Sequence, residues 1–362
     1  MTASAARLPD HLPILDRHGA RRVREPVYVE REITAAVDVC DARGRLNPAA
    51  VGFARSPLFR ANLAGHWPRK KRWNFWNWIG PECVFSVTLA DIDLASFCAF
   101  TLTDLRDGLH RAGAWYGLPG RIALSEEVEQ SVAFTRGAVE YACRIDGDDL
   151  AVRFRGRADD GTAIAADLAV RRPPGQESLN VVVPWSASRF QCNSKHAALP
   201  CAGEVRGGER VYRLDPRTCF AVQDWGRGVW PYRSFWNWGV ATGWAGDVLL
   251  GVNVGGKWTT GTGVNENGIL CDGRLHKIME DLRWEYDPTD WRKPWRVVAE
   301  HSGAIDLVLA PLVAHTPRLD LIVLATGGVC AFGRWSGRVR VAGREISVDG
   351  LLGWAEEFAH RW

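Results

Sequence analysis

The sequence predicts an all-β protein built as two similar antiparallel β-barrels in tandem. Two observations lead to this fold class. Apolar and polar residues alternate in short stretches separated by Asx-Gly turns, which is typical of strands in a sandwich or barrel. In addition, the tetrapeptide Phe-Trp-Asn-Trp at 75–78 recurs at 235–238, 160 residues later. A repeat with the period of a whole domain indicates an internal duplication rather than a solenoid.

The alternation is clearest between residues 139 and 171. Apolar side chains at every second position would share one face, and charged side chains would share the other. Asp146-Gly147 and Asp160-Gly161 interrupt the pattern with residues typical of tight hairpins. We therefore expect a three-stranded meander with one buried face. For the last ten residues, 353–362, the pattern fits a short terminal helix or an edge strand equally well.

The junction between the two halves is expected near residues 184–188. It follows a loop-like segment, Arg171–Gly175, and an apolar strand at 179–183. The sequence thus predicts an N-terminal barrel at 1–185 and a C-terminal barrel at 186–362.

Composition excludes several classes of protein. Of the 362 residues, 46% are hydrophobic, so the chain can bury a sizeable core. The 45 basic and 42 acidic residues leave a net charge of +3, which does not indicate a surface that binds nucleic acid. The basic run Arg69–Arg72 is interpreted as a solvated loop, with contact to an anion or a membrane surface as the alternative. No apolar stretch approaches the roughly 20 residues that a transmembrane helix needs.

The cysteines predict a reducing compartment. There are nine, an odd number, and they are scattered without a Cys-x-x-Cys pair. Such usage argues against a disulfide framework. Residues 1–25 also lack the apolar core of a signal peptide. A cytoplasmic location is therefore expected.

No metal or cofactor is predicted. The nine histidines show no close spacing typical of a zinc site. The glycine-rich segment 255–263 lacks the order of a P-loop or a Rossmann turn, so we interpret it as a strand end with its loop.

Asp224 and Arg227 are the first candidates for chemistry. A carboxyl group among aromatic side chains would be desolvated, which raises its pKa and lets it protonate an alkene or an oxygen. Arg227 could keep it ionised or bind a substrate carboxylate; the alternative is a structural ion pair. Glu266 is the second candidate, as acid, base or ligand anchor, with a polar turn residue before Asn267-Gly268 as its alternative.

Eighteen tryptophans require a large core, a lined cavity, or both. Apolar pockets with a few polar groups are the usual sites for small molecules. The predicted ligand-binding residues are those around the candidate acid and in the repeated tetrapeptide: Trp225, Trp230, Tyr232, Trp236, Asn237, Trp238, Trp76 and Trp78.

Several segments resemble the family known as domain of unknown function DUF2804. The similar segments are Lys71–Trp76, Ser194–Lys195 with Leu199–Pro200, Asp224–Tyr232 with Phe235–Trp238, and Val264–Asn267. More distantly, the layout resembles tandem lipocalin-like proteins, a group that includes carotenoid hydratases and some cofactor-free cyclases. The resemblance implies two lipocalin-like barrels, and it assigns no catalytic residue.

Together these features suggest a protein that binds a lipophilic or polyene-like small molecule in an aromatic-lined cavity. Cofactor-independent hydration, isomerisation or cyclisation, with Asp224 as the acid, is one hypothesis. A carrier of a lipid or other hydrophobic ligand, without catalysis, is the second. A structural or interaction module, with barrels filled by their own tryptophans, is the third. Neither the ligand nor the oligomeric state follows from the sequence.

Overall fold

The computed structural model describes residues 26–321 and 324–362, which form strands joined by turns and loops. The first fifteen strands are β1 (Val37–Asp38), β2 (Gly52–Ala54), β3 (Phe59–Arg60), β4 (Lys70–Ile79), β5 (Cys83–Asp91), β6 (Ser96–Asp104), β7 (His110–Gly117), β8 (Val132–Arg136), β9 (Val139–Asp146), β10 (Asp149–Arg157), β11 (Ala163–Arg171), β12 (Leu179–Ser186), β13 (Arg189–Gly207), β14 (Arg210–Leu214) and β15 (Phe220–Val229). The remaining ten are β16 (Arg233–Ala245), β17 (Val248–Gly256), β18 (Gly268–Cys271), β19 (Arg274–Lys277), β20 (Arg283–Glu285), β21 (Trp295–Val298), β22 (Ile305–His315), β23 (Arg318–Asp320), β24 (Ala325–Val341) and β25 (Arg344–Arg361). Within these ranges the only helix is a 3₁₀ turn at Pro48–Ala50.

Two large antiparallel sheets organise the chain as tandem barrels, which confirms the predicted fold class. The first has the order β7-β6-β5-β4-β15-β13-β11-β10-β9-β8, with β12, β14 and β2 attached beside it. The second has the order β19-β18-β17-β16-β25-β24-β22-β21-β20, with β23 attached to β24. The short strands β1 and β3 form a separate parallel pair.

The two sheets repeat one topology. In each, four consecutive strands (β4–β7 and β16–β19) form a meander, and the last strand of the sheet returns to pair with the first of these four. Thus β15 pairs with β4, and β25 pairs with β16. The repeated tetrapeptide lies in the equivalent strands β4 and β16. This equivalence agrees with the duplication predicted from the sequence.

The chain changes sheets between Val229 and Arg233. Strands β13, β14 and β15 lie after the predicted junction at 185/186, yet they belong to the first sheet. The reason is the pairing of β15, which forms a ten-residue ladder with β4 from Phe220 opposite Ile79 to Val229 opposite Lys70. As an arrangement of sheets, the first half therefore extends to β15.

The predicted meander is confirmed as β9, β10 and β11. Gly147 follows β9 with a φ of +59°, a conformation that glycine adopts without the strain of a side chain. The C-terminal segment, for which helix and strand were both open, lies in β25. It is a strand because it pairs on both sides, with β16 and with β24.

The repeated tetrapeptide faces opposite ways in the two copies. In β4, Trp76 and Trp78 point into the core of the first barrel, where the Trp78 ring stacks on Phe85. In β16, Trp238 and its half-buried neighbour Trp236 instead face the core between the sheets. Side chains alternate between the two faces of a strand. A shift of one position therefore places every side chain of the motif on the opposite face of the sheet.

Each barrel has its own hydrophobic core, and a third core lies between the sheets. The inter-sheet core includes Val222 of β15, Trp238 of β16 and Trp354 of β25. It is the surface on which the two halves of the molecule are joined.

The nine cysteines, all within the described ranges, are free thiols. No helix of the described residues is long and apolar enough to cross a membrane. The segment 1–25, expected to lack a signal peptide, lies outside the described residues.

Candidate functional site

Polar side chains are buried where the two barrels meet. Lys195 and Asp224 come from neighbouring positions of β13 and β15, where they are paired in register. Glu266 comes from the loop between β17 and β18, and Glu356 comes from β25. Lys195, Asp224 and Glu266 retain less than 9% of their accessible surface. We call these four residues the inter-barrel cluster; two come from the first sheet, and two come from the second sheet and its β17–β18 loop.

Lys195 bridges the two sheets. Its Nζ lies 3.0 Å from Asp224 Oδ2 and 3.2 Å from Glu266 Oε2. It also lies 3.8 Å from the centre of the Trp238 ring, a cation–π contact. Burial alone would lower the pKa of Lys195, but the two carboxylates outweigh it, so the pKa lies above its ordinary value. Lys195 is therefore an ammonium ion at neutral pH.

Each carboxylate of this ion pair also accepts an indole N–H. Trp73 Nε1 donates to Asp224 Oδ2 at 3.2 Å, and Trp258 Nε1 donates to Glu266 Oε1 at 2.9 Å. The other oxygen of Asp224, Oδ1, is buried and has no hydrogen-bond partner among the residues that the structure describes. An unpartnered carboxylate oxygen is available to accept a proton or a hydrogen bond from a ligand.

Two glycines allow these contacts. A Cβ on Gly226 would lie 2.1 Å from the Trp73 ring, so only glycine lets this indole lie across β15 and reach Asp224. A Cβ on Gly255 would lie 2.5 Å from Glu266 Oε1. The glycine of the Asp-Trp-Gly segment and the glycine near the end of β17 therefore make room for the cluster.

Glu356 is the second acidic group from the second sheet. It is half-buried, and its Oε1 accepts the indole N–H of Trp236 at 2.7 Å. Burial raises the pKa of Glu356 to about 8; the Trp236 hydrogen bond and Lys195 act in the opposite direction, and Asp224 and Glu266 raise it further. Burial likewise raises the pKa of Glu266, against the effect of Lys195. A pKa of about 8 favours the protonated form of Glu356 at neutral pH.

Glu356→Gln is expected to stabilise the protein at pH 8 and to be neutral at pH 5. Because the pKa of Glu356 is raised in the folded state, its contribution to stability is fully present below the unfolded pKa, near 4.5, and is lost as the pH rises through about 8. Glutamine keeps the acceptor for Trp236 and cannot ionise. Urea unfolding at the two pH values measures the difference. Glu345→Gln, an exposed change on the same strand, is the control and should show no such dependence.

Arg227 does not pair with Asp224. Residues three apart in a strand face opposite ways, so the Arg227 side chain points away from the cluster. Its guanidinium donates to the carbonyl of Trp73 at 2.6 Å and to Asn74 Oδ1 at 2.8 Å, and it stacks 4.2 Å above the Trp225 ring. The cation beside Asp224 is Lys195, which corrects the expected Asp224–Arg227 pair. Burial lowers the pKa of Arg227 well below its ordinary value.

The structure brings Asp224 and Glu266 together and separates the predicted aromatic residues into three places. Trp230, Trp236 and Trp238 lie in or against the inter-sheet core. Trp76 and Trp78 lie in the core of the first barrel. Tyr232 is exposed, and its ring lies 5.5 Å below the Arg69 guanidinium.

Asn237 and Trp225 also face away from the inter-barrel cluster. Asn237 lies on the barrel side of β16, where its Nδ2 is 3.3 Å from Tyr286 Oη. Trp225 lies under Arg227. Neither side chain therefore contributes to the cluster in this structure.

Sequence reasoning missed Lys195, Glu356, Trp73 and Trp258 as members of the site. The available signals were weak. Lys195 is a single cation in a run of otherwise uncharged residues, and Glu356 is one of two consecutive acids between aromatic residues. Both patterns are typical of positions where a charge is buried rather than solvated. Neither pattern identifies the residue with which that charge pairs.

A groove of about 640 Å³ lies elsewhere, on the first barrel. Leu150, Val170 and Pro200 line it, and no residue of the inter-barrel cluster does. In the described part of the chain, no three His, Cys, Asp or Glu side chains are grouped so as to hold a metal ion.

Comparison with solved structures finds similar chains at low sequence identity. An AttH candidate protein from Nitrosomonas europaea has a TM-score of 0.50 and 14% identity, over 81% of this chain and 93% of that chain. Kievitone hydratase from Nectria haematococca has a TM-score of 0.45 and 9% identity, over 93% and 98%. CghA has a TM-score of 0.41 and 12% identity, over 81% and 88%.

Among curated proteins no significant match is found. The family model for the domain of unknown function DUF2804 matches residues 30–362, nearly the whole chain. This match includes the Asp-Trp-Gly-Arg-Gly segment, the repeated tetrapeptide and both halves of the inter-barrel cluster. The protein therefore belongs to the DUF2804 family.

Proposed function

We propose that this protein is a cofactor-independent enzyme that hydrates, isomerises or cyclises a lipophilic or polyene-like small molecule between its two barrels. The observation that carries the proposal is the inter-barrel cluster. Lys195 joins Asp224 and Glu266 from opposite sheets, next to a carboxyl group that is protonated at neutral pH. When two carboxyl groups have different surroundings, one can be protonated while the other is ionised. Such a pair is suited to serve as the acid and the base of one reaction.

Glu356 is the acid and Asp224 the base in this proposal. The sequence favoured Asp224 as the acid, but in the structure it forms an ion pair with Lys195 at 3.0 Å, and its Oδ1 is unpartnered among the described residues. In a hydration, Glu356 would give its proton to one alkene carbon, and Asp224 would take a proton from the water whose oxygen bonds to the other carbon. Proton exchange with solvent would then restore both groups.

The surroundings support an apolar substrate. Trp73, Phe75 and Trp236 are only partly buried and lie against the inter-sheet core, so part of each ring is available to a ligand. The two rings Trp236 and Phe358 stack with centroids 5.5 Å apart. Aromatic faces of this kind bind polyene or ring systems and stabilise developing positive charge.

Native mass spectrometry with organic extraction tests this function. We expect a lipophilic compound to be released from the purified protein. Incubation of that compound with fresh protein should convert it to a product that chromatography resolves. Return of the compound unchanged would favour a carrier. A protein that neither holds nor binds any apolar compound would contradict both and favour a structural module.

A further inference from the structure

Lys71 is a buried cation without a counter-ion. It lies in β4 on the same face as Trp73 and Phe75, with none of its surface exposed. Its Nζ donates to the carbonyl of Ile92 at 3.1 Å, and no carboxylate in the described part of the chain forms an ion pair with it. Neighbouring Asp93 instead pairs with Lys70. Buried ammonium groups are normally paired, because desolvation of an isolated charge is costly.

Further donors next to Lys71 also lack acceptors. The Trp362 ring lies 5.3 Å from Lys71 Nζ, and its Nε1 is buried without a partner among the described residues. The same holds for the hydroxyl of Ser234, which lies opposite His360 in the pairing of β16 with β25. The rings of His360 and Trp362 are 4.7 Å apart. An ammonium, an indole N–H and a hydroxyl therefore gather at one end of the inter-sheet face.

The charges around this group fit the same interpretation. Burial, with a further contribution from Arg69, lowers the pKa of Lys71 to about 8. Burial lowers the pKa of His360 to about 3, so this imidazole is neutral at physiological pH and adds no charge. Arg69 donates to the carbonyl of Trp230 and to the backbone oxygen of Trp362. Asp93 and Asp91 act in the opposite direction on the pKa of Lys71, but neither carboxylate lies within ion-pair distance of Lys71 Nζ. The ammonium group can therefore form its closest ion pair with the carboxylate of a ligand.

We propose that Lys71, with Trp362 and Ser234, binds the carboxylate of an amphiphilic substrate whose apolar body lies along Trp73 and Trp236. Lys71 and Phe75 are four residues apart in β4, about 13 Å along an extended strand, and Phe75 is opposite Asp224. The Trp236 ring connects the two ends, since it lies 4.4 Å from His360 and donates to Glu356. This inference rests on the proposed function for the reacting end and names the substrate class: a long apolar acid.

Calorimetric titration with dodecanoate and with its methyl ester tests the proposal. Wild-type protein should bind dodecanoate at least about tenfold more tightly than the ester, because only the acid forms a charge-assisted hydrogen bond. Lys71→Met should lose that preference and bind the two probes equally. Lys70→Met is the matched control, since this adjacent lysine already pairs with Asp93 and should leave the preference unchanged.

Three results would overturn the carboxylate site: equal binding of acid and ester by the wild-type protein, an unchanged preference in Lys71→Met, or an equal loss in Lys70→Met. The first is measured on the wild-type protein, so it decides the matter even if Lys71→Met fails to fold. Conversion of an extracted neutral compound would leave the proposed function standing while the carboxylate site fails. If neither probe bound and no compound could be extracted, the carboxylate site and the proposed function would both be contradicted.

Discussion

Asp224→Asn is expected to reduce turnover of the extracted compound by about a hundredfold to ten-thousandfold, the usual contribution of a positioned acid or base. Asparagine retains an oxygen for the Trp73 indole and Lys195, so the shape of the site is preserved. It removes the basic oxygen that is unpartnered among the described residues. Affinity for the compound should change only a few-fold, because the aromatic contacts remain. Steady-state kinetics together with calorimetric binding separate the two quantities.

Asp349→Asn provides the control for this change. Asp349 is an exposed residue of β25, and its neutralisation should alter neither rate nor affinity. If Asp224→Asn retained full turnover, the assignment of Asp224 as the base would be wrong. If it lost binding and turnover together, the carboxylate would be an anchor for the ligand.

Lys195→Met is expected to cost about 3–5 kcal/mol in the free energy of unfolding at pH 7, since it leaves two buried carboxylates without their cation. Without Lys195, burial would raise the pKa of Glu266 further in the folded variant, so this acid would be protonated more readily in the fold than in the unfolded chain. Stability of the variant should therefore improve as the pH falls from 7 to 5 and worsen as it rises. Urea unfolding across this pH range measures the effect.

Two further variants sharpen this prediction. Lys293→Met removes an exposed lysine that pairs with Asp287, and it should change stability little. Combining Lys195→Met with Asp224→Asn and Glu266→Gln removes the uncompensated charges and should recover much of the lost stability. A loss that is independent of pH and is not rescued would mean that Lys195 acts through packing on Trp238 rather than through charge.

The fold could be predicted because its signals are local. Alternation and Asx-Gly turns are visible within ten residues, and they define β9 to β11 correctly. The duplication is visible because one tetrapeptide occurs twice. The limit of the first sheet is not local, since it depends on β15 returning across about 150 residues of sequence to pair with β4.

For the same reason, only some residues of the site could be predicted from the sequence. Asp224 and Glu266 could be singled out as acids in an aromatic or glycine-rich context. Their common partner, Lys195, is defined by packing between two sheets, which no periodicity encodes. Arg227 illustrates the converse error: proximity in sequence suggested a pair, whereas strand alternation places it on the opposite face.

The opposite facing of the repeated tetrapeptide has an evolutionary consequence. After a duplication, two copies of one sequence can be retained under different selection. A mutation of Trp76 or Trp78 would disturb the core of the first barrel and its folding. The same mutation of Trp236 or Trp238 would instead disturb the place where the barrels meet, next to Glu356 and Lys195. The two copies are therefore free to diverge for unrelated reasons, and the second can change without loss of the first barrel's core.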